Sequence, residues 1–200
     1  MTRAVLVHGA SADGATWASF AERLAARGWE VEAPDVVGAE LRAMADSLLA
    51  QVKPEPDLAL GHSLGGAVLL EALERLRPRR AIYADPAWRF ELAPERVAAG
   101  RRFLDTAGRE QWRQFLPGLG DRDLDAFRAA SARWDRAGPE RVDVVPSGPP
   151  PVPSLLMLSA EPAFDPPPGY QVARLHGVGH FMFWLDPQQC LRVIDEFLAG

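Results

Sequence analysis

Short apolar runs alternate along the chain with segments in which apolar residues recur every three or four positions. The short runs predict six β-strands, at residues 4–7, 29–33, 58–61, 81–84, 155–158 and 172–175. The longer periodicity predicts helices between them, at residues 15–27, 41–52 and 67–76, and a last helix from Pro187 onward. This alternation favours an α/β fold, a three-layer sandwich with a roughly six-stranded parallel sheet.

The segment at about residues 86–150 departs from this alternation because its strand signal largely disappears. Its pattern predicts three helices, at residues 94–106, 109–116 and 121–136, and a proline-rich connector follows at 147–153. We interpret the segment as a helical lid inserted into a single domain that spans residues 1–200. Its aromatic side chains predict either an apolar substrate pocket or only the core of a small cap: Trp88, Phe90, Phe103, Trp112, Phe115, Phe127 and Trp134.

Composition and charge exclude several classes of partner. The net charge is −5 and Lys53 is the only lysine, which argues against binding to nucleic acid or to an anionic membrane surface. Cys190 is the only cysteine, so no internal disulfide can form, and no apolar run is long enough for a signal peptide or a membrane span. We therefore expect a cytoplasmic protein that acts on a small-molecule substrate; the sequence does not set its oligomeric state.

A Gly-His-Ser-Leu-Gly pentapeptide at residues 61–65 joins the third predicted strand to the helix that follows it. A tight turn at this place would project the Ser63 hydroxyl into an open site, and Gly61 and Gly65 would relieve the backbone crowding. The N–H of Leu64 would lie at the start of the helix, where developing negative charge is stabilised. The pentapeptide alone also fits a turn with an unreactive serine, but its place after an apolar strand favours a nucleophile.

Two further motifs accompany the pentapeptide, Val-His-Gly-Ala at residues 7–10 and Gly-Val-Gly-His-Phe at residues 177–181. In order and spacing the three motifs resemble the α/β-hydrolase superfamily over nearly the whole chain, without that family's two leading strands. The resemblance implies a triad of serine, histidine and acid, with Ser63 as the nucleophile. It also implies an oxyanion hole made by the backbone N–H groups of Ala10 and Leu64.

Four histidines are candidates for the general base. His8 and His62 flank predicted strand ends, where packing or a turn hydrogen bond explains them better. In the family that the chain resembles, the base comes last in the sequence, after the nucleophile and the acid. His180 matches the family's motif in a glycine-bearing loop after the last strand, so we expect it to be the base and His176 to be structural.

Three carboxylates are candidates for the acid of the triad. The resemblance places the acid most often in the loop after the fifth predicted strand, where Pro162 occupies the expected position beside Glu161 and Asp165. A second location used in the superfamily is the end of the preceding strand, where this chain has Asp85. Sites of α/β proteins form at the carboxyl ends of parallel strands, so we favour Asp85, with Asp165 and Glu161 as alternatives. A cap or turn role before Pro86 would also explain Asp85.

These residues predict a serine hydrolase that cleaves a small apolar or aromatic carboxylic ester through an acyl-enzyme, with thioesters and amides as further options. A lyase or acyltransferase on this fold, or a ligand receptor that has lost turnover, would show much the same sequence. No cofactor is expected, because no glycine-rich dinucleotide loop follows the first strand. No metal site is expected either, because the histidines and the cysteine lack ligand spacing.

Overall fold

The computed structural model describes residues 2–91, 93–133 and 139–200. The strands are β1 (Thr2–Val7), β2 (Trp29–Glu32), β3 (Leu58–His62), β4 (Ala81–Ala84), β5 (Arg89–Glu91), β6 (Arg141–Asp143), β7 (Ser154–Leu158) and β8 (Gln171–Arg174). A 3-10 turn at Gly14–Trp17 precedes the helices α1 (Ala18–Ala25), α2 (Leu41–Gln51), α3 (Leu64–Leu76), α4 (Pro94–Thr106), α5 (Arg109–Phe115), α6 (Asp121–Arg133), α7 (Met182–Leu185) and α8 (Pro187–Ala199). No helix in these ranges combines the length and the apolar character that a membrane span requires.

Six of the described strands form one parallel sheet in the order β2-β1-β3-β4-β7-β8. One face packs against α1, α7 and α8, which contribute Phe20, Phe183 and Leu191 to a buried cluster. The other face packs against α2 and α3, which contribute Met44 and Val68 to a second cluster. The predicted α/β fold with a six-stranded parallel sheet and helices on both faces is therefore confirmed.

The central strands are buried on both faces, and this explains their continuous apolar sequence. In β1, Leu6 belongs to the cluster that includes α1 and α8, whereas Val5 and Val7 belong to the cluster that includes α2 and α3. Every residue of β3 and β7 is buried in the same way. Parallel strands covered by helices on both sides have no solvent-facing positions, so the polar residues that would produce an alternating pattern are absent.

The register of the sheet brings the carboxyl ends of three neighbouring strands to one edge. Val7 of β1 pairs with Gly61 of β3, and His62 of β3 pairs with Ala84 of β4. The loops that leave these three strands therefore start side by side. This edge is where ligands bind in open parallel sheets, because the loops leaving the strands surround a shared crevice.

The segment between β4 and β7 contains the three predicted helices together with two strands that the sequence pattern does not predict. Strands β5 and β6 pair antiparallel, with Phe90 opposite Val142. Each strand has three residues, and the paired Arg89 and Asp143 lie 54 positions apart in the chain, so local periodicity carries no signal for them. Helix α6 is described as far as Arg133. Trp134 and the predicted helix end at residue 136 lie outside the described residues.

Candidate active site

Ser63 occupies a strained turn between β3 and α3. Its backbone has φ 55° and ψ −123°, a conformation that residues with a side chain rarely adopt. Three backbone hydrogen bonds hold the turn: the Ser63 N–H donates to Ala84 O, and the Ser63 carbonyl accepts from the N–H groups of Gly66 and Ala87, each at 2.9 Å. The serine is thus fixed at the sheet edge by the neighbouring strand β4 and by the start of its own helix.

Glycines permit the close packing around this turn. A Cβ at Gly61 would lie 2.4 Å from Gly65 O, and a Cβ at Gly65 would lie 2.3 Å from Val7 O. Contacts this short do not occur between real atoms, so each position requires glycine while the backbone stays in place. The turn therefore lies directly against the end of β1.

The loop after β1 passes beside the Ser63 side chain. A Cβ built on Gly9 would lie 3.5 Å from Ser63 Oγ, so the backbone of this loop approaches the hydroxyl closely. Ala10 follows Gly9 directly, and Leu64 is the first residue of α3, where helix N–H groups have no partner within the helix. The structure thus places both predicted oxyanion donors in segments that adjoin Ser63.

His180 and Asp85 form a hydrogen-bonded pair at the same edge. The distance from His180 Nδ1 to Asp85 Oδ2 is 3.3 Å. Asp85 follows the last residue of β4 with φ 40°, and its side chain is 12% exposed, whereas the His180 side chain is 45% exposed. The carboxylate is thus held inside the protein, while the imidazole lies at the surface of the site.

Ser159 is a partner of Asp85 that the sequence analysis missed. Its N–H donates to Asp85 Oδ1 at 2.8 Å, and its hydroxyl donates to Asp85 Oδ2 at 2.5 Å. Burial raises the pKa of Asp85, but the hydrogen bonds from His180 and Ser159 lower it by more, so the pKa lies below the ordinary value of an aspartate. The position of Ser159 directly after β7 is the sequence signal that could have identified it.

Comparison with known proteins agrees with this architecture. The family model described as "Alpha/beta hydrolase family" matches residues 4–193, which is nearly the whole chain. The chain belongs to the α/β-hydrolase family. This confirms the resemblance carried by the three short motifs, and it makes the turn at Ser63 the place where the nucleophile of such a hydrolase is expected.

Solved structures similar to this hydrolase include enzymes of different reactions. An esterase from Exiguobacterium antarcticum is 16% identical, with a TM-score of 0.79 over 100% of this chain and 92% of that one. An esterase from Thermogutta terrifontis is 22% identical, with a TM-score of 0.69 over 100% of this chain and 90% of that one. A bromoperoxidase from Bacillus anthracis is 15% identical, with a TM-score of 0.73 over 100% of this chain and 92% of that one. No curated protein sequence matched the chain. Identities this low show the fold, and the reaction has to be argued from the site.

The two other acid candidates of the hydrolase lie in exposed positions. The Glu161 side chain is 82% exposed and forms an ion pair with Arg174 at 2.9 Å. Asp165 is also exposed. Of the three candidates, Asp85 is the one that the structure brings to His180.

His8, His62 and His176 have other partners. The Nε2 atom of buried His8 accepts a hydrogen bond from the Val36 N–H at 2.9 Å, and burial lowers the pKa of His8.

His62 is buried next to His180. Its Nε2 atom lies 2.8 Å from His180 O, and the centroids of the two rings are 4.5 Å apart. Burial, and to a smaller extent the neighbouring His180, lowers the pKa of His62 to about 3. His176 is exposed, and its backbone N–H donates to Gln189 Oε1.

An apolar cavity of about 420 Å³ lies beside the sheet edge that carries Ser63 and His180. Its lining includes Ala10 and Phe181, the sequence neighbours of Gly9 and His180. Further lining residues come from α4, α5 and α6 and from the residue that follows α5: Phe103, Leu104, Trp112, Phe115, Leu116 and Phe127. None of the described residues that line it is charged, and such a lining suits an uncharged group.

Metal binding finds no support in the described part of the hydrolase. No group of three or more His, Cys, Asp or Glu side chains among the described residues is arranged to hold an ion. The groups that this edge presents for chemistry are a serine, a histidine, a carboxylate and backbone N–H groups.

Proposed function

We propose that this α/β hydrolase is a serine hydrolase that cleaves a small apolar or aromatic carboxylic ester through an acyl-enzyme. Ser63 is the nucleophile, His180 the general base and Asp85 the acid of the triad. The observation that carries the proposal is the hydrogen bond between His180 and Asp85, formed at the sheet edge where the strained turn presents Ser63. Two of the similar solved structures are esterases, and this supports an ester rather than another substrate.

The reaction starts when Ser63 Oγ attacks the ester carbonyl while His180 Nε2 takes the hydroxyl proton. The negative charge that develops on the carbonyl oxygen is stabilised by the N–H groups of Ala10 and Leu64. The C–O bond to the alcohol then breaks, and the alcohol leaves with the proton held by His180. A water molecule then attacks the acyl carbon while His180 takes one of its protons. The bond between the acyl carbon and Ser63 Oγ breaks, His180 returns the proton to Ser63 Oγ, and the carboxylic acid leaves.

Asp85 has two roles in this cycle. Its Oδ2 accepts from Nδ1 of His180, so the second nitrogen of the imidazole, Nε2, is free to act as the base. Because the pKa of Asp85 is lowered, the carboxylate is ionised at neutral pH and stabilises the imidazolium that forms during the attack. Ser159 supports both roles, since its two hydrogen bonds fix the orientation of the carboxylate.

The apolar cavity supports the proposed substrate class. A volume of about 420 Å³ lies within the usual range for small-molecule sites, and the described lining residues, which are uncharged, disfavour a substrate with a charge on this side. The cavity is walled by the segment at residues 86–150, which we propose acts as the lid of the site. Helices α4, α5 and α6 of this segment then cover the group of the ester that enters the cavity.

A fluorophosphonate probe, which reacts with activated serines, tests the nucleophile. We expect stoichiometric labelling of wild-type protein at Ser63, located by peptide mass spectrometry, and no labelling of Ser63→Ala. In parallel, a series of p-nitrophenyl esters from acetate to decanoate measures turnover. We expect kcat/KM to rise with acyl chain length until the cavity is filled, and then to fall.

The outcomes separate the candidate reactions. Absence of labelling at Ser63 in folded protein would overturn the serine hydrolase. Labelling at Ser63 without turnover of any ester in the series would contradict esterase activity and would favour a lyase or an acyltransferase with the same nucleophile.

A further inference from the structure

Helix α6 is tied to the first β–α unit along its whole length. It contributes one partner to each of four polar contacts: Arg122 to Glu22, Asp123 to Ser19, Ser131 to Ser11 O, and Arg133 to Asp13. Each contact joins residues about a hundred or more positions apart in the chain. Both the first and the last turn of α6 therefore contact the first β–α unit, and these contacts fix the helix beside the site.

The contact of Ser131 differs from the others because it is buried and reaches the backbone. The residue is 1% exposed, and its hydroxyl donates to the Ser11 carbonyl at 2.7 Å. Ser11 has φ 59°, in the left-handed region, although it is not a glycine. A residue in this region costs about 1 kcal/mol or more, so its conformation persists only where neighbouring groups hold it.

The strained residue lies directly beside the proposed oxyanion donor. Ser11 follows Ala10, and its left-handed backbone turns the chain immediately after the Ala10 N–H. Both residues line the apolar cavity together with Ser131. An oxyanion donor has to meet the developing charge within a narrow range of distance and angle, so a rotation of this loop would weaken it.

We propose that Ser131 is a positioning residue for the oxyanion hole: its hydroxyl holds the Ser11 carbonyl and thereby orients the N–H of Ala10. The proposal rests on the proposed serine hydrolase function. The helix that covers the cavity thus also sets the geometry of the catalytic loop. Ser131 acts through the loop and does not touch the substrate's reacting atoms.

Replacing the hydroxyl tests this role. We expect Ser131→Ala to lower kcat about tenfold with little change in KM, because the donor is displaced, whereas complete loss of an oxyanion donor costs about 10²–10³ in kcat. The binding of phenylboronic acid, whose tetrahedral adduct with Ser63 resembles the oxyanion, should weaken by the same factor as kcat/KM. Ser131→Thr keeps the hydroxyl and should restore both values.

Ser19→Ala is the matched control. It also removes a serine hydroxyl that links α6 to the first β–α unit, since it breaks the 2.5 Å contact with Asp123, but Asp123 lies in the first turn of α6, eight residues before Ser131. We expect kcat and boronate affinity of this variant to stay at the wild-type values. Thermal unfolding of both alanine variants checks that they are folded.

The results distinguish this inference from the function on which it rests. Wild-type protein that neither reacts with fluorophosphonate nor binds the boronate would overturn the serine hydrolase itself. Labelled, active wild type whose kcat and boronate affinity are unchanged in Ser131→Ala would overturn the role of Ser131 alone. Equal losses in Ser131→Ala and Ser19→Ala would overturn it as well, since they would show a general loosening of α6. If Ser131→Ala does not fold, Ser131→Thr with wild-type thermal stability but low kcat would contradict the proposal.

Discussion

At the scale of single residues, His62 links the proposed nucleophile to the proposed base. It directly precedes Ser63, and a carbonyl oxygen can only accept, so the Nε2 of His62 must donate its proton to His180 O. The rings of Trp17, Phe183 and Trp184 surround it at centroid distances of 5.5–6.3 Å. In this apolar setting the neutral form of His62 is strongly favoured, and its Nε2–H stays in place as a donor.

This burial makes the stability of the protein depend on pH. An unfolded histidine is protonated below about pH 6.5, whereas folded His62 resists protonation until the pH reaches about 3, so the unfolded chain binds more protons in this window. The contribution of His62 to stability is therefore complete above about pH 6.5 and is lost as the pH falls towards 3.

His62→Gln keeps a hydrogen-bond donor and removes the titration. As the pH falls, we expect the free energy of unfolding of this variant to decrease less steeply than that of wild type. The two slopes should differ by up to about 1.4 kcal/mol per pH unit. Urea unfolding of both proteins at steps between roughly pH 7 and pH 5 measures the two slopes. Equal slopes would contradict a neutral, buried His62.

The residues that could be predicted from the sequence are those with a local signal. Ser63 is marked by the glycines around it, and His180 by the motif that contains it. Ser159 has only its position directly after β7 as a signal, and this does not show its partner, because its bonds to Asp85 span 74 positions and form only when β4 and β7 pair. The choice among Asp85, Asp165 and Glu161 stayed open for the same reason, since chain order does not show which carboxylate reaches the imidazole.

At the scale of elements, α4 forms one wall of the apolar cavity. Gly100 lies within this helix and lines the cavity, and a Cβ added there would meet no atom within 4 Å. Glycine at this position therefore leaves open space, whereas most other residue types at position 100 would fill part of the cavity with their side chains. We propose that this glycine sets the length of the acyl or alcohol group that enters.

Gly100→Trp tests this element. The indole should occupy the cavity and lower kcat/KM for long-chain p-nitrophenyl esters at least tenfold, while p-nitrophenyl acetate is still cleaved, because burial of each lost methylene is worth about 0.8 kcal/mol. Gly148→Trp is the matched control, since its added Cβ also meets open space and it is not among the lining residues. An unchanged chain-length profile in Gly100→Trp would contradict a cavity that holds the substrate.

Whether an element could be predicted from the sequence depends on its length and on whether its partners are near it in the chain. The central strands could be predicted because burial on both faces requires continuous apolar runs, and the helices because one face of each is apolar. Strands β5 and β6 could not, because three residues give no period and the pairing of Phe90 with Val142 is tertiary. The sequence also gives no sign that α6 is anchored, since its polar partners lie in the distant first β–α unit.

At the scale of the whole molecule, the proposed site is assembled from segments far apart in the chain. The loop after β1 supplies Ala10, the turn after β3 supplies Ser63, the end of β4 supplies Asp85, and the loop after β8 supplies His180. The parallel register brings the first three to one edge, and the hydrogen bond with Asp85 brings the last segment to them. The proposed acid therefore belongs to the strand next to the nucleophile, and Pro162 occupies the more common location.

The measurement that tests this account most directly compares two aspartate variants on the best p-nitrophenyl ester. We expect Asp85→Asn to lower kcat by about 10⁴-fold, because an amide does not hold the imidazole in the reactive tautomer or stabilise imidazolium. Asp165→Asn, the same change at an exposed position, should retain nearly all activity. Full activity in Asp85→Asn together with a collapse of kcat in Asp165→Asn would contradict the triad of Ser63, His180 and Asp85.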